Sequence, residues 1–193
     1  IELKKGDIIY TFENSSIKHV HSCSWDPYDN KIWILTGDNK SECKILTANP
    51  DFTNISIIGQ GDQIWRAVSI IFKQDYVYWF MDSPSEQSRV VRYSRSNSSI
   101  QLFQEFPGPI WYVKELSTDL YLLSTVIEPG DSTDDNFVYM YQSNNLENWK
   151  LIYTFKKDLL SSSYFKFSTI YFSSGYQSEA CFYISAQSIR NMD

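Results

Sequence analysis

A short apolar pattern returns along this chain at an interval of about 45 residues, and that recurrence constrains the fold more than any other feature. Gln63-Ile-Trp-Arg66 and Pro109-Ile-Trp-Tyr112 share an Ile-Trp pair at a spacing of 46. Each is followed by a second strand candidate, Tyr76-Val-Tyr-Trp79-Phe80 in one and Leu120-Tyr-Leu-Leu123-Ser124 in the other. An earlier copy overlays them, running from His19-Val-His21 to Lys31-Ile-Trp-Ile-Leu35. Third strands follow at Cys43–Leu46, Val90–Tyr93 and Phe137–Tyr141, and fourth strands at Ile55–Ile58, Ile100–Phe103 and Trp149–Phe155. Polar turn clusters such as Pro27-Tyr-Asp-Asn30 and Gly130-Asp-Ser-Thr133 separate them. Short strands at even spacing between turn signals indicate all-β architecture.

Composition agrees. The chain carries 6 Trp, 14 Tyr and 12 Phe in 193 residues, and aromatic side chains suit pleated, half-buried surfaces. No long stretch shows an apolar period of 3.6, so helices are not expected to carry the core. The formal charge is −6 without a Lys/Arg block, which disfavours nucleic acid or an anionic membrane as a partner. No run is apolar enough to span a bilayer and no signal peptide is evident, so a soluble chain is expected, in a compartment the residues do not identify. Because it begins at Ile1, a mature form, a cut form and a piece of a longer chain all stay open. Cys23, Cys43 and Cys181 show no metal or redox spacing and are expected to be buried free thiols.

Four strands in such a repeat make the blade of a β-propeller; a β-sandwich with strands that align by chance is the alternative. The expectation is a single propeller domain of antiparallel blades, with repeats over roughly 19–62, 63–108, 109–157 and 158–193, the last completed by 1–18. Ile8-Ile-Tyr-Thr-Phe12 reads like Leu151-Ile-Tyr-Thr-Phe155, a fourth strand, and the C-terminal stretch offers three more, near 159–164, 166–172 and 180–185. An N-terminal strand completing the last blade would close a four-bladed ring and leave no open sheet edge. A slice of a larger propeller would instead present open faces for self-association or for missing blades.

Ser143-Asn-Asn-Leu-Glu-Asn-Trp149, with its Trp entering a strand, resembles the Asp-box hairpin of the sialidase-like, BNR-repeat propellers, S-x-D-x-G-x-T-W. Thr47-Ala-Asn-Pro-Asp-Phe-Thr53 holds the same place in the first repeat. Asn145 stands where the pattern has Asp, the Gly is absent, and one residue is missing before Trp149. The resemblance implies a propeller fold; the Asp-box is a structural turn and implies no activity. Sialidases of that fold hold the substrate carboxylate with three arginines. Here Arg66 alone opens an inner strand, while Arg89, Arg92 and Arg95 fall in or near a third strand, so that activity is not expected.

In a propeller, first strands begin and second strands end on the same face. At the first-strand starts lie His19, His21, Trp65, Arg66, Trp111 and Tyr112; just past the second strands lie Asp38, Asp82 and Glu128, spaced 44 and 46 apart. All nine are candidate ligand-binding residues at one mouth of a central channel, where loops on a rigid scaffold concentrate function. The acids also suit turns beside Gly and Pro, and the two Trp also suit packing between blades. Arg66 is expected to pair with Asp38, Asp82 or a bound anion. His19 and His21 at i and i+2 share a face and are able to ligate a metal, although one such His is more often a hydrogen-bonded structural residue; no metal or cofactor is expected. Aromatic faces with carboxylates and Arg suit a carbohydrate or other small polar ligand. Asp82 and Glu128 would be the catalytic pair if the protein is a glycoside hydrolase. The competing expectation is a protein-interaction scaffold without catalysis.

Overall fold

The computed structural model describes residues 8–13, 16–116, 119–134 and 136–192. Fourteen strands are present: β1 (His19–Asp26), β2 (Lys31–Gly37), β3 (Lys44–Ala48), β4 (Ser56–Gln60), β5 (Ala67–Phe72), β6 (Tyr76–Met81), β7 (Ser88–Ser94), β8 (Ile100–Phe106), β9 (Ile110–Glu115), β10 (Tyr121–Thr125), β11 (Phe137–Ser143), β12 (Lys150–Lys156), β13 (Thr169–Phe172) and β14 (Ile184–Gln187). They form three four-stranded antiparallel sheets in sequence order, β1–β4, β5–β8 and β9–β12, followed by the pair β13–β14. The architecture is all-β and built of blade-like meanders. The first strands pack side by side, β1 on β5, β5 on β9 and β9 on β13.

The sheets are glued face to face, so the core is distributed between them. Between the first and second sheets lie Trp33, Leu35, Ile45, Val77, Trp79 and Met81. Tyr78, Phe80, Phe106, Leu123, Tyr141 and Trp149 fill the space between the second and third. Val138, Met140, Phe155, Ile170 and Ile189 fill the next. A strand flanked by sheets on both faces needs apolar residues on both, which is why the second strands read as unbroken apolar runs. Tyr76-Val-Tyr-Trp-Phe-Met81 is buried throughout except at Tyr76, and Tyr121-Leu-Leu-Ser-Thr125 is buried throughout. The fourth strands face solvent on one side, and Ile57, Ile100 and Leu151 are exposed.

Neighbouring sheets are also stitched by side chains reaching a backbone carbonyl across the gap. Ser69 donates to Trp111 O (2.6 Å), and Ser124 donates to Ile170 O (2.9 Å). The His21 ring does the same to Ala67 O (3.0 Å). Turns at the far ends close on their own polar groups. In Ser143–Trp149, Asn145 Oδ1 accepts from the Glu147 and Asn148 amides, Leu146 takes a positive φ of 65°, and Trp149 Nε1 donates to Leu146 O.

Several expectations are corrected. Gln63–Trp65 is a 3₁₀ turn capped by Asp62, and the inner strand begins only at Ala67. The apolar pattern Ile-Trp therefore marks a strand in Ile110–Glu115 but a turn in its earlier copy. Ile8–Phe12 makes no strand, and Ile8 and Ile9 are exposed; the seven residues before them lie outside the described residues. The stretch 159–164 contains no strand either, because Ser162–Phe165 is one helical turn capped by the Ser161 hydroxyl. Of the three thiols only Cys43 is buried, with Cys23 and Cys181 exposed.

Candidate functional site

Each of the three complete sheets ends its second strand on the same side of the molecule, and each delivers one carboxyl there. Asp38 follows β2 directly, Asp82 follows β6 directly, and Glu128 stands three residues beyond β10. Arg66, immediately before β5, is the hub between them. Its Nε donates to Asp82 Oδ2 at 3.0 Å, while Nη2 lies 3.6 Å from Glu128 Oε2 and 3.8 Å from Asp38 Oδ1. Nη1 reaches the Asp38 carbonyl at 3.4 Å. The guanidinium therefore ties three sheets together through one acid from each.

The loops that carry the acids are themselves fixed. Thr36 bridges the turn after β2 by donating to Glu42 O (2.7 Å) and accepting from the Lys44 amide. Gly130 sits so close to the loop after β6 that a Cβ would lie 2.1 Å from Pro84 O; any side chain there would push the Glu128 and Asp82 loops apart. Ser132 adds hydrogen bonds to Pro84 O through its amide (3.1 Å) and to Glu86 O through its hydroxyl (2.7 Å).

A cavity of about 600 Å³ opens over this cluster, lined by Lys18, His19, Val20, His21, Asp38, Arg66, Val68, Asp82, Trp111, Glu128 and Phe167. Of the candidates read from sequence, His19, His21, Asp38, Arg66, Asp82, Trp111 and Glu128 meet here. Trp65 and Tyr112 do not. Trp65 packs in the apolar core against Trp79 (ring centroids 5.4 Å apart), and Tyr112 stacks on Tyr171 of β13 at 4.8 Å. Lys18, Val20, Val68 and Phe167 are cavity residues that sequence reasoning passed over. Val68 stands two residues past Arg66, an inward-face signal; Phe167 belongs to the C-terminal unit, which has no clear repeat copy, and nothing in the sequence singles it out.

The acids are not equivalent. Asp82 is sealed, with 3% of its side chain exposed, and accepts from Trp111 Nε1 (2.6 Å) as well as from Arg66. Burial pushes its carboxyl up to about 6 against the pull of both donors. Glu128 is pushed up to about 7, first by burial and then by the Asp82 charge, with Arg66 opposing; its Oε2 is buried and makes no hydrogen bond. Asp38 goes the other way. Burial works against its charge, but Arg66 and the two His hold its carboxyl below the usual range. His21 is lowered by burial, while its hydrogen bond to Ala67 O resists the shift. Arg66 stays charged: burial opposes it, and Asp82 and Glu128 more than offset that.

Three of the other arginines serve structure. Arg89 pairs with Glu105, Arg92 with Glu147, and Arg95 with Asp26 and Asp29, all away from the cavity. No helix among the described residues is long and apolar enough to cross a membrane.

No family model matches this chain, and no curated protein matches it. Among solved structures, one described as a TolB of Agrobacterium tumefaciens is similar over 68% of this chain, at 14% sequence identity and a TM-score of 0.49. The match covers 48% of that protein, so this chain spans about half of its length.

Proposed function

We propose that the sheets are blades of a β-propeller and that the Arg66 cavity binds a carbohydrate, with Asp38 and Glu128 positioned to process it by acid–base chemistry. One observation carries the reading: two carboxyls with opposite pKa directions reach the same guanidinium nitrogen. Asp38 Oδ1 and Glu128 Oε2 lie 3.8 and 3.6 Å from Arg66 Nη2. Two atoms that close to a common third are separated by less than roughly 7.5 Å, which spans the ~5–5.5 Å of retaining and the lower part of the ~6.5–9.5 Å of inverting glycosidases. A carboxyl held protonated beside one held ionised is the pairing such chemistry uses. Glu128, near neutrality a proton donor, is the general acid; Asp38 is the base or nucleophile. Asp82, expected from sequence to partner Glu128, is enclosed by Arg66 and Trp111 and acts as their counter-ion. Trp111 and Phe167, with centroids 5.9 Å apart, supply an aromatic wall for a sugar ring, while Lys18 and His19 on the rim supply donors for hydroxyls.

Glycan-array binding followed by titration calorimetry tests this. Trp111→Ala should abolish binding, whereas Glu128→Gln should keep binding and lose turnover. Binding that survives both substitutions removes the cavity as the sugar site.

A protein-interaction scaffold is the second reading, favoured by apolar side chains crowding the C-terminal segment. Leu159, Tyr164, Tyr176 and Tyr183 are at least 70% exposed, and large exposed apolar side chains that form a patch mark a partner surface. Absence of any glycan ligand, together with co-purification of one stable protein partner, would favour it.

A further inference from the structure

The wall of the cavity formed by the first sheet holds a constellation of His19, His21 and Asp38 to which the carbohydrate reading gives a different use, taking Asp38 as a base, His19 as a rim donor and His21 not at all. β1 enters the site with a bulge, the register slipping between Val20 and Ser22, so that His21 is the extra residue. Bulges re-aim side chains, and this one seats the His21 ring directly over Gly37, where a Cβ would lie 2.6 Å from His21 Cε1. The ring is nine-tenths buried, with 9% of its side chain exposed. Its Nδ1 is 3.0 Å from Ala67 O. A carbonyl oxygen only accepts, so Nδ1 carries the proton and Nε2 presents a lone pair. That lone pair points at Asp38 Oδ1, 3.5 Å away.

Two acceptors therefore face each other across a gap. A cation between them would reconcile them. On the other carboxylate oxygen, Asp38 Oδ2, stands His19 Nδ1 at 3.0 Å, and the three ligand atoms all lie within 4.8 Å of one another.

We propose that His19, His21 and Asp38 bind a divalent transition-metal ion of the Zn²⁺ class, with its remaining coordination position open to the cavity. Tetrahedral Zn²⁺ holds N and O ligands at about 2.0–2.1 Å, which puts neighbouring donor atoms about 3.4 Å apart. His19 stands 3.0 Å from Oδ2 and His21 3.5 Å from Oδ1, spacings on either side of that value but to different oxygens, so the Asp38 carboxylate chelates through both oxygens or turns to offer one oxygen to both rings. The edge between the two rings closes by rotation of His19, which is more than half exposed and free to move. Two imidazoles with one carboxylate suit Zn²⁺ and its neighbours over Ca²⁺ or Mg²⁺, which take oxygen ligands. The Nδ1–H bond to Ala67 O is the outer partner that metal-bound His usually has, fixing tautomer and orientation. Lys18 Nζ, 3.5 Å from Asp38 Oδ2, must withdraw; it is 64% exposed and goes to solvent at little cost. The Arg66 charge is already matched by Asp82.

This inference needs no sugar, and it competes with the carbohydrate reading for Asp38, because a carboxylate bound to an ion is not free to take a proton; ion binding is read directly, so either can fail without the other. The test is titration of the chelator-stripped chain with ZnCl₂ by calorimetry, with thermal midpoints recorded alongside. The expected result is one equivalent bound with a Kd at or below roughly 10 µM and a raised midpoint. Asp38→Asn and His21→Ala should each weaken binding by more than the roughly 10–100-fold typical of outer-shell partners. Should His21→Ala fail to fold, His19→Gln decides instead: its side chain is on the rim, the fold does not depend on it, and at least tenfold weaker binding is expected. Absence of binding, or equal affinity in wild type, Asp38→Asn and His19→Gln, overturns the proposal and assigns any bound Zn²⁺ to adventitious surface groups.

Discussion

Arg66 and Arg95 do the same topological job at opposite ends of the second sheet, and they are built differently. Arg66 precedes β5 and meets the acids at the cavity; Arg95 follows β7, whose end lies beside the start of β6. Both reach across to the first sheet. Arg95 is closed. Its Nη1 and Nη2 grip Asp26 at 2.6 and 3.0 Å, its Nε donates to Lys73 O at 3.0 Å, and Asp29 takes a further contact. Asp26, fully buried, also accepts from Trp33 Nε1 and the Tyr28 amide, so donors and acceptors match. Arg66 is open. It has one short bond, to Asp82, reaches the Asp38 backbone carbonyl at 3.4 Å, and meets the Asp38 and Glu128 carboxylates only at 3.6 Å and beyond, leaving Glu128 Oε2 without a hydrogen bond. A clip needs saturated, bidentate geometry. A site that must receive something keeps surplus acids, unfilled acceptors and shifted pKa values, and the Arg66 end, unlike the Arg95 end, has all three, which is what the proposed function rests on.

The sharpest way to break this comparison is to remove each cation in turn. Arg95→Met strands Asp26 in a dry interior, and losing one partner of a buried pair costs about 3–5 kcal/mol. Arg66→Met should cost less, about 1–3 kcal/mol, because Asp82 and Glu128 are already poised to take up protons and Trp111 still donates to Asp82. Urea unfolding of both variants at neutral pH measures the difference. Equal costs would mean that the Arg66 cluster is as purely structural as the Arg95 clip. Trp111→Phe sharpens the same point at a smaller scale than Arg95→Met. It removes the 2.6 Å bond to Asp82 while keeping the ring, and a hydrogen bond to a charged group is worth about 1.5–3 kcal/mol.

The pattern of acids behind this comparison was legible in the sequence because one constraint generated it. A second strand that ends at the same height in every sheet puts the next residues on one face, so Asp38, Asp82 and Glu128 could be placed from spacing alone. Arg66 followed, since an arginine at a strand start beside three acids has an obvious charge partner. Trp65 was misplaced because its Ile-Trp copy suggested a strand, whereas the Asp62 side chain caps a 3₁₀ turn that swings the indole into the core. Tyr112 was misplaced because its neighbour Trp111 takes the inward direction, and successive strand residues face opposite ways. Burial order was beyond reach. Asp82 and Glu128 looked equivalent in sequence, and only the packing of Trp111 and the loop from Gly130 onward makes one a sealed counter-ion and the other a protonated acid.

The smallest expected effect is a pH dependence that separates the two ends. Glu128 titrates near 7 in the folded chain and near its ordinary 4.5 when unfolded, so between those values the native state holds more of its proton than the unfolded state does. Its contribution is full below the unfolded value and is lost as pH rises through about 7. Asp82 adds a loss of the same sign up to about 6. His21, lowered by burial, has the opposite sign: its contribution is present above its unfolded value of 6.5 and is lost as pH falls through its depressed folded value. Wild-type stability across this window is set by the two signs together, with the depressed Asp38 on the same side as His21. Glu128→Gln removes one falling contribution, so its thermal midpoint should gain on wild type as pH rises from about 5 to about 8. The same substitution leaves the Arg95 clip untouched. A Glu128→Gln profile parallel to wild type would mean that Glu128 is an ordinary ionised carboxylate, and the acid assigned to the cavity would be lost with it.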